Sequence, residues 1–206
     1  MKNKTLLISI ILICSVLGVA AYYLLDVASP ARAYPERGRL DRLLDDLQVS
    51  RIPDETRPVE FRLPDASGTI VDIADFRGKI VFLNFWATWC PSCVTEMPAM
   101  EKLHRKLKDR DFAMVTVSIQ DSADTVKQFF MQNELTFTAL LDLTGKSVPD
   151  FGIRAIPTTL ILDKTGRIIG RVMGPRAWDS RKALAMFEHL IGEPVANSTL
   201  TPAEPG

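Results

Sequence analysis

Ile80-Val81-Phe82-Leu83-Asn84-Phe85-Trp86-Ala87-Thr88-Trp89-Cys90-Pro91-Ser92-Cys93 decides the fold of this chain. Its first part lies within residues 79–87, an apolar run suited to a strand buried on both faces of a sheet. Pro91 then suits a first helical turn, because it lacks the N–H that would have no partner there. A helix is expected from about residue 91 to 108. Its buried face reads from Met97, Met100, Leu103 and Leu107 at three-to-four spacing. The two cysteines thus stand where a buried strand gives way to a helix.

That placement supplies a chemistry. The thiolate is the nucleophile in disulfide exchange, and a free cysteine ionises only near pH ~8.5. At a helix N-terminus, Cys90 meets unpaired backbone N–H groups and the positive end of the helix dipole, which favour the charged form. Cys93 lies close but deeper, where it can resolve a mixed disulfide. Cys90 is therefore expected to attack and Cys93 to resolve. Competing uses of the pair are less well served. Zinc needs two more N or S ligands, yet no second C-x-x-C exists. The two histidines, His104 and His189, fall on separate helices. A permanent structural disulfide has no need of this junction. The dithiol chemistry calls for no cofactor.

Outward from the motif, strands alternate with helices. Residues 59–63 and 69–73 flank Asp65-Ala66-Ser67-Gly68 as a hairpin. Strands follow at 112–119 and 136–141, separated by a helix over 124–133 with Ser122 as a candidate cap. A broken helical turn is expected near Pro149. A second hairpin joins 158–163 to 168–173 across Lys164-Thr165-Gly166, and a last helix covers 179–191. This order indicates an α/β sandwich. The tail beyond Glu193 is rich in Pro, Thr and Ala and is expected to be disordered.

The N-terminus reads differently. Lys2 and Lys4 precede an uncharged stretch from Leu6 to Leu25, about the ~20 residues a bilayer-crossing helix needs. Tyr22 and Tyr23 close it at an interface position. An uncleaved anchor over 1–27 is the leading reading. Ala31-Arg32-Ala33 leaves a cleaved signal peptide as the alternative. A lipoprotein is disfavoured because Ile13 precedes Cys14. Residues 28–57 read as a linker, with Pro30, Pro35 and Pro53. Within it, Leu40, Leu43, Leu44 and Leu47 mark a short amphipathic helix lying on the domain or membrane surface. The globular domain is expected over 58–192. Lys+Arg and Asp+Glu both total 25, and no long single-sign run appears. That balance argues against a nucleic-acid partner.

Asn84-Phe85-Trp86-Ala87-Thr88-Trp89-Cys90-Pro91-Ser92-Cys93, followed by Glu96-Met97-Pro98, resembles the TlpA/ResA-like thioredoxin family of membrane-anchored bacterial disulfide reductases. Phe151-Gly152-Ile153-Arg154-Ala155-Ile156-Pro157-Thr158-Thr159, then Asp163-Lys164-Thr165-Gly166, matches its second signature. The resemblance spans about 59–191. It implies a thioredoxin-like fold, a central mixed sheet flanked by helices, with an N-terminal hairpin and a helix–strand insertion at 121–142. One transmembrane helix would precede it. It also implies a cis Pro157 facing the cysteines, with Ile156 pairing an extended substrate segment. Pro98, mid-helix, would sit at a usual kink. Where thioredoxins carry a buried acid, this chain has Asn84, which cannot shuttle a proton. Glu96, one turn beyond Cys93, is the nearest carboxylate by spacing, and the resemblance places a Glu there near the thiols. Trp86 is expected in the core. Trp89 is expected over the disulfide, aiding substrate docking, or simply packed.

The implied activity is protein thiol–disulfide exchange in the periplasm, with the domain tethered to the inner membrane or released there after cleavage. The expected direction is reduction. Expected partners are proteins bearing thiols or disulfides, such as apocytochrome c or a copper-site protein, and a membrane thiol transporter as electron donor. A disulfide-donating oxidase, a peroxidase, a copper-binding module and a non-catalytic binding domain are the rival readings.

Overall fold

The computed structural model describes residues 35–52 and 57–192. The expected anchor and the C-terminal tail lie outside the described residues. Among those described, no helix is long and apolar enough to cross a membrane.

The core element is β4 (Ile80–Trp86), in which every residue is buried. An apolar run of this kind suits a central strand, because neither face of it meets water. β4 lies parallel to β5 (Phe112–Ile119), with Val81 opposite Ala113 and Trp86 opposite Ser118. β5 lies parallel to β6 (Thr138–Asp142). On its other side β4 runs antiparallel to β7 (Thr158–Leu162), which pairs in turn with β8 (Ile168–Met173). A two-residue strand, β1 (Ser50–Arg51), completes the order β1-β8-β7-β4-β5-β6. A separate hairpin joins β2 (Arg62–Pro64) to β3 (Ile70–Asp72).

Period-two alternation along β4 separates two cores. Val81, Leu83 and Phe85 face a cluster with Val115, Val117, Leu160 and Leu162, closed by Phe61, Leu63, Val71 and Phe151. Phe82 faces the other way, edge-on to Trp178 at 4.8 Å between ring centres and 5.8 Å from Phe187. Phe187 belongs to α5 (Arg181–Gly192), whose Ala183, Met186, Phe187 and Leu190 are buried. On α2 (Pro91–Leu107) the buried set includes Met97, Met100, Leu103 and Leu107, and the helix continues through Pro98. α3 (Ala123–Gln132) and β6 occupy the 121–142 segment, a helix followed by a strand. Trp86 is fully buried and stacks against Phe129 and Phe130 of α3.

Several boundaries differ from the sequence reading, some because a long-range contact takes the backbone and others because a local cap does. Residues 59–61 do not extend the first hairpin: the Val59 N–H donates to Gly166 O, and Arg77 Nη2 donates to Val59 O. Ile73 leaves β3 to open a 3₁₀ turn (Ile73–Phe76) capped by Asp72. β6 starts at Thr138, since Thr136 gives both its N–H and its hydroxyl to Glu101. α5 starts at Arg181, where the Ser180 hydroxyl accepts from Ala183 N–H. The broken turn near Pro149 is α4 (Ser147–Asp150).

The compact unit holding the sheet begins at Arg42, so part of the stretch read as linker belongs to it. α1 (Pro35–Asp46) covers the amphipathic segment. Leu44, Leu47 and Val49 are buried, and β1 pairs with β8. Gly170 on β8 permits this approach, because a Cβ there would stand 2.6 Å from Val49.

Phe82 has no exposed surface, and its ring is held by both Trp178 and Phe187. Phe82→Ala is expected to lower stability by about 3–5 kcal/mol, the cost of emptying an aromatic site in a packed core. Urea unfolding monitored by circular dichroism measures it.

Candidate active site

The site begins where β4 ends. Cys90 is the N-cap residue of α2, with extended backbone angles (φ −96°, ψ 102°), and its sulfur accepts the Cys93 N–H at 3.3 Å. The Cys90 carbonyl takes the N–H groups of Cys93 and Val94, at 3.0 and 3.1 Å. The Cys93 N–H, which has no i→i−4 partner, is thus held by the sulfur and the carbonyl of this one residue, and the Val94 N–H makes the first regular bond of the helix. Cys90 and Cys93 are joined as a disulfide. Cys90 is 6% exposed and Cys93 fully buried, so an approaching reagent meets Cys90 first. The Cys93 N–H and the N-terminal end of α2 point at the Cys90 sulfur.

Pro91 occupies the first helical position and is exposed. The Ser92 hydroxyl stands 3.4 Å from the Cys90 sulfur. Across the site, the Ile156–Pro157 peptide is cis, and the Ile156 carbonyl oxygen lies 3.8 Å from the same sulfur. Thr158 steadies this loop by donating its hydroxyl to Ala155 O, at 2.7 Å. Trp89 is 60% exposed beside the motif. The structure therefore gathers Cys90, Cys93, Pro91, Ile156 and Pro157 at one end of the sheet, with Trp89 open to solvent there.

Glu96 lies on the other side of α2's first turns, facing the sheet, and is buried. Its carboxylate takes Asn84 Nδ2 at 3.1 Å, Trp178 Nε1 at 2.9 Å and the Arg176 N–H at 3.2 Å. Asn84 Nδ2 also donates to Thr159 Oγ1 at 3.0 Å, while the buried Asn84 Oδ1 has no partner. Loss of solvation pushes the Glu96 pKa up to about 7, outweighing the Trp178, Arg176 and Asn84 bonds and the Arg176 charge, which pull it down.

Sequence reasoning reached Glu96 through helical spacing but missed Trp178 and Arg176, which approach it from the loop between β8 and α5. A lone tryptophan in a polar loop was their only signal. It also missed Asp121, whose carboxylate accepts from the Thr88 N–H and hydroxyl. Among the described residues, no group of three or more His, Cys, Asp and Glu could hold a metal ion.

The family profile of AhpC/TSA matches residues 55–171, more than half of the chain. The chain belongs to the AhpC/TSA family. Members similar to it include the thiol-disulfide oxidoreductase ResA of Bacillus thuringiensis subsp. konkukian, 35% identical over 114 residues. That match covers 55% of this chain and 66% of ResA. The thioredoxin-like protein YneN of Bacillus subtilis is 43% identical over 112 residues, covering 53% of this chain and 65% of YneN. The chain thus spans just under two thirds of the curated relatives it matches. Among solved structures, a thiol:disulfide interchange protein of the thioredoxin family from Chlorobium tepidum superimposes with a TM-score of 0.60 at 24% identity. The superposition covers 68% of this chain and all of that one, and it shows the thioredoxin fold.

The folded protein holds the Glu96 proton more tightly than the unfolded chain, where the group keeps its ordinary value of 4.5. This contribution to stability is full below pH 4.5 and is lost as pH rises through about 7. The loss amounts to about 3 kcal/mol. Glu96→Gln stays neutral, and a rotated Asn84 amide can accept from it. Urea unfolding at about pH 5 and about pH 8 should therefore show a fall in wild-type stability that the variant lacks.

Proposed function

We propose that this protein is a thiol–disulfide oxidoreductase working as a protein disulfide reductase. The observation that carries the reading is the Cys90 sulfur: it caps α2, is bonded to Cys93, and faces the carbonyl before a cis proline. In the reduced protein the Cys90 thiolate attacks one sulfur of a substrate disulfide. The substrate's other sulfur leaves as a thiolate and takes up a proton. Cys93 then loses its proton and attacks the Cys90 sulfur, which closes the Cys90–Cys93 bond and frees the reduced substrate. Two electrons pass from the dithiol to the substrate, and a thiol donor must restore them.

Each further residue has a part in this proposal. Ile156 and Pro157 offer backbone beside the reacting sulfur, where an extended substrate segment can align. Exposed Trp89 and Pro91 border that segment. Glu96, one helical turn past Cys93 and with its pKa near 7, receives the Cys93 proton. A group that titrates near the working pH exchanges protons efficiently in either direction.

The location and partners rest on the N-terminal sequence and on the resemblance of the two motifs to the TlpA/ResA-like family. Lys2, Lys4 and the uncharged run to Leu25 support an inner-membrane tether with the domain in the periplasm. In that oxidising compartment a reductase needs electrons delivered across the membrane, which a membrane thiol transporter would supply. Apocytochrome c or a copper-site protein, each with its cysteine pair oxidised to a disulfide, are the proposed substrates.

Cys93→Ser is expected to accumulate mixed disulfides through Cys90, and mass spectrometry of the trapped species names the substrate. Cys90→Ser should trap nothing. Equal trapping by both variants would refute the assigned order of attack. In Glu96→Gln, resolution of the mixed disulfide at neutral pH should slow by about a hundredfold or more, the lower end of what a general base supplies. Stopped-flow rates that match the wild type would end the proton role of Glu96.

A further inference from the structure

Asp121 stands two residues beyond the end of β5 and two residues ahead of α3. It is only 5% exposed, and neither the dithiol exchange nor the Glu96 cluster uses it. Its carboxylate takes three donors. Oδ2 accepts the Thr88 N–H at 2.8 Å and the Ser118 hydroxyl at 2.5 Å, and Oδ1 accepts the Thr88 hydroxyl at 2.7 Å. Ser118 is opposite Trp86 in the β4–β5 register, so it anchors the carboxylate at the level where β4 ends. Thr88 is gripped twice, by backbone and by side chain, and lies two residues before Cys90. Within the same turn, the Cys90 N–H donates to Ala87 O at 3.2 Å.

We propose that Asp121 is a positioning residue for the Cys90 sulfur. By holding Thr88 at two points it fixes the turn between β4 and α2. Cys90 then caps the helix, receives the Cys93 N–H and faces the Ile156 carbonyl. This inference deepens the dithiol reading and rests on it. The grip works through geometry, and the hydrogen-bond inventory shows how to separate that from charge. An asparagine at 121 can place its carbonyl oxygen toward the Thr88 N–H and the Ser118 hydroxyl. Its amide N–H₂ then faces Thr88 Oγ1, and a hydroxyl accepts as readily as it donates. All three contacts survive without the charge. Alanine loses all three, and leaves the Thr88 N–H and the Ser118 hydroxyl without their acceptor.

The test follows alkylation of reduced full-length protein by iodoacetamide across pH, read on the Cys90 peptide by mass spectrometry. Asp121→Ala should raise the midpoint by about half a pH unit, the scale of a helix-terminus contribution to one charge. Asp121→Asn should leave it at the wild-type value. Thr88→Val, which keeps the backbone bond and removes only the hydroxyl, should give a smaller rise, and it carries the test if the alanine variant does not fold. A midpoint that falls in both Asp121 variants would mean that Asp121 acts as a like charge on the thiolate, overturning the positioning role. A lower melting temperature with an unmoved midpoint in both Asp121→Ala and Thr88→Val would also overturn it, leaving a merely structural contact. If instead wild-type protein alkylates normally but reduces no disulfide substrate, the reductase reading fails while the positioning result still stands.

Discussion

A strand buried on both faces must end somewhere, and in this protein the end of β4 is also the start of α2. Everything chemical depends on that junction. The strand fixes where the helix begins, because its seven residues are locked between β5 and β7 and packed above and below. The first turn of a helix offers N–H groups that no earlier carbonyl can take. Here the Cys90 sulfur takes one of them, the Cys93 N–H. A cysteine at an ordinary surface position would titrate near pH ~8.5 and react slowly at neutral pH. The junction instead sets the Cys90 sulfur at the N-terminal end of a helix, against the Cys93 N–H.

The second constraint is the polar cluster beneath the helix. Burying a carboxylate without partners would cost several kcal/mol, and Glu96 is enclosed by β4, by α2 itself and by the loop that carries Arg176 and Trp178. Its N–H donors offset part of that cost, but not all, since its pKa stays raised. The Glu101 carboxylate gives the contrast on the same helix. It is held by Arg105 and by two bonds from Thr136, and its pKa is lowered despite desolvation. One helix therefore carries a carboxylate that is settled in its charged form and another poised between forms. The difference lies in a nearby guanidinium on one and none bonded to the other by its side chain.

What was legible in the sequence was whatever depended on neighbours along the chain. The apolar run 80–83, proline after Cys90 and the three-residue step to Cys93 placed the motif. Helical spacing alone singled out Glu96, one turn past Cys93. What was not legible depended on partners far away in sequence. Glu96 meets Trp178 and Arg176 across the whole domain. Val59 leaves the first hairpin for Gly166, and Thr136 leaves β6 for Glu101. Val49 reads as linker because nothing local says that Gly170 has left room for it. Asp121 looks like a residue ahead of a helix cap, and only the folded sheet brings it to Thr88. Local pattern fixes elements and periodicity, whereas capture of a backbone group by a distant side chain sets the ends.

Asn84 shows how these constraints join. Its amide bridges Glu96 on α2 and Thr159 on β7, and Thr159 follows the cis proline by two residues. The two walls of the site, the cysteine helix and the proline loop, are therefore tied underneath by hydrogen bonds as well as by apolar packing. Apolar side chains of similar volume would fill the same space at no loss of stability, as replacements of buried polar groups often do. They would pack there without a direction, whereas an amide and a carboxylate hold the helix and strand in one register. They would also supply nothing that can take a proton. A buried carboxylate balanced near neutrality is a poor device for stability, and the role proposed above for Glu96, taking the proton of Cys93 one helical turn before it, is one that such a group can fill.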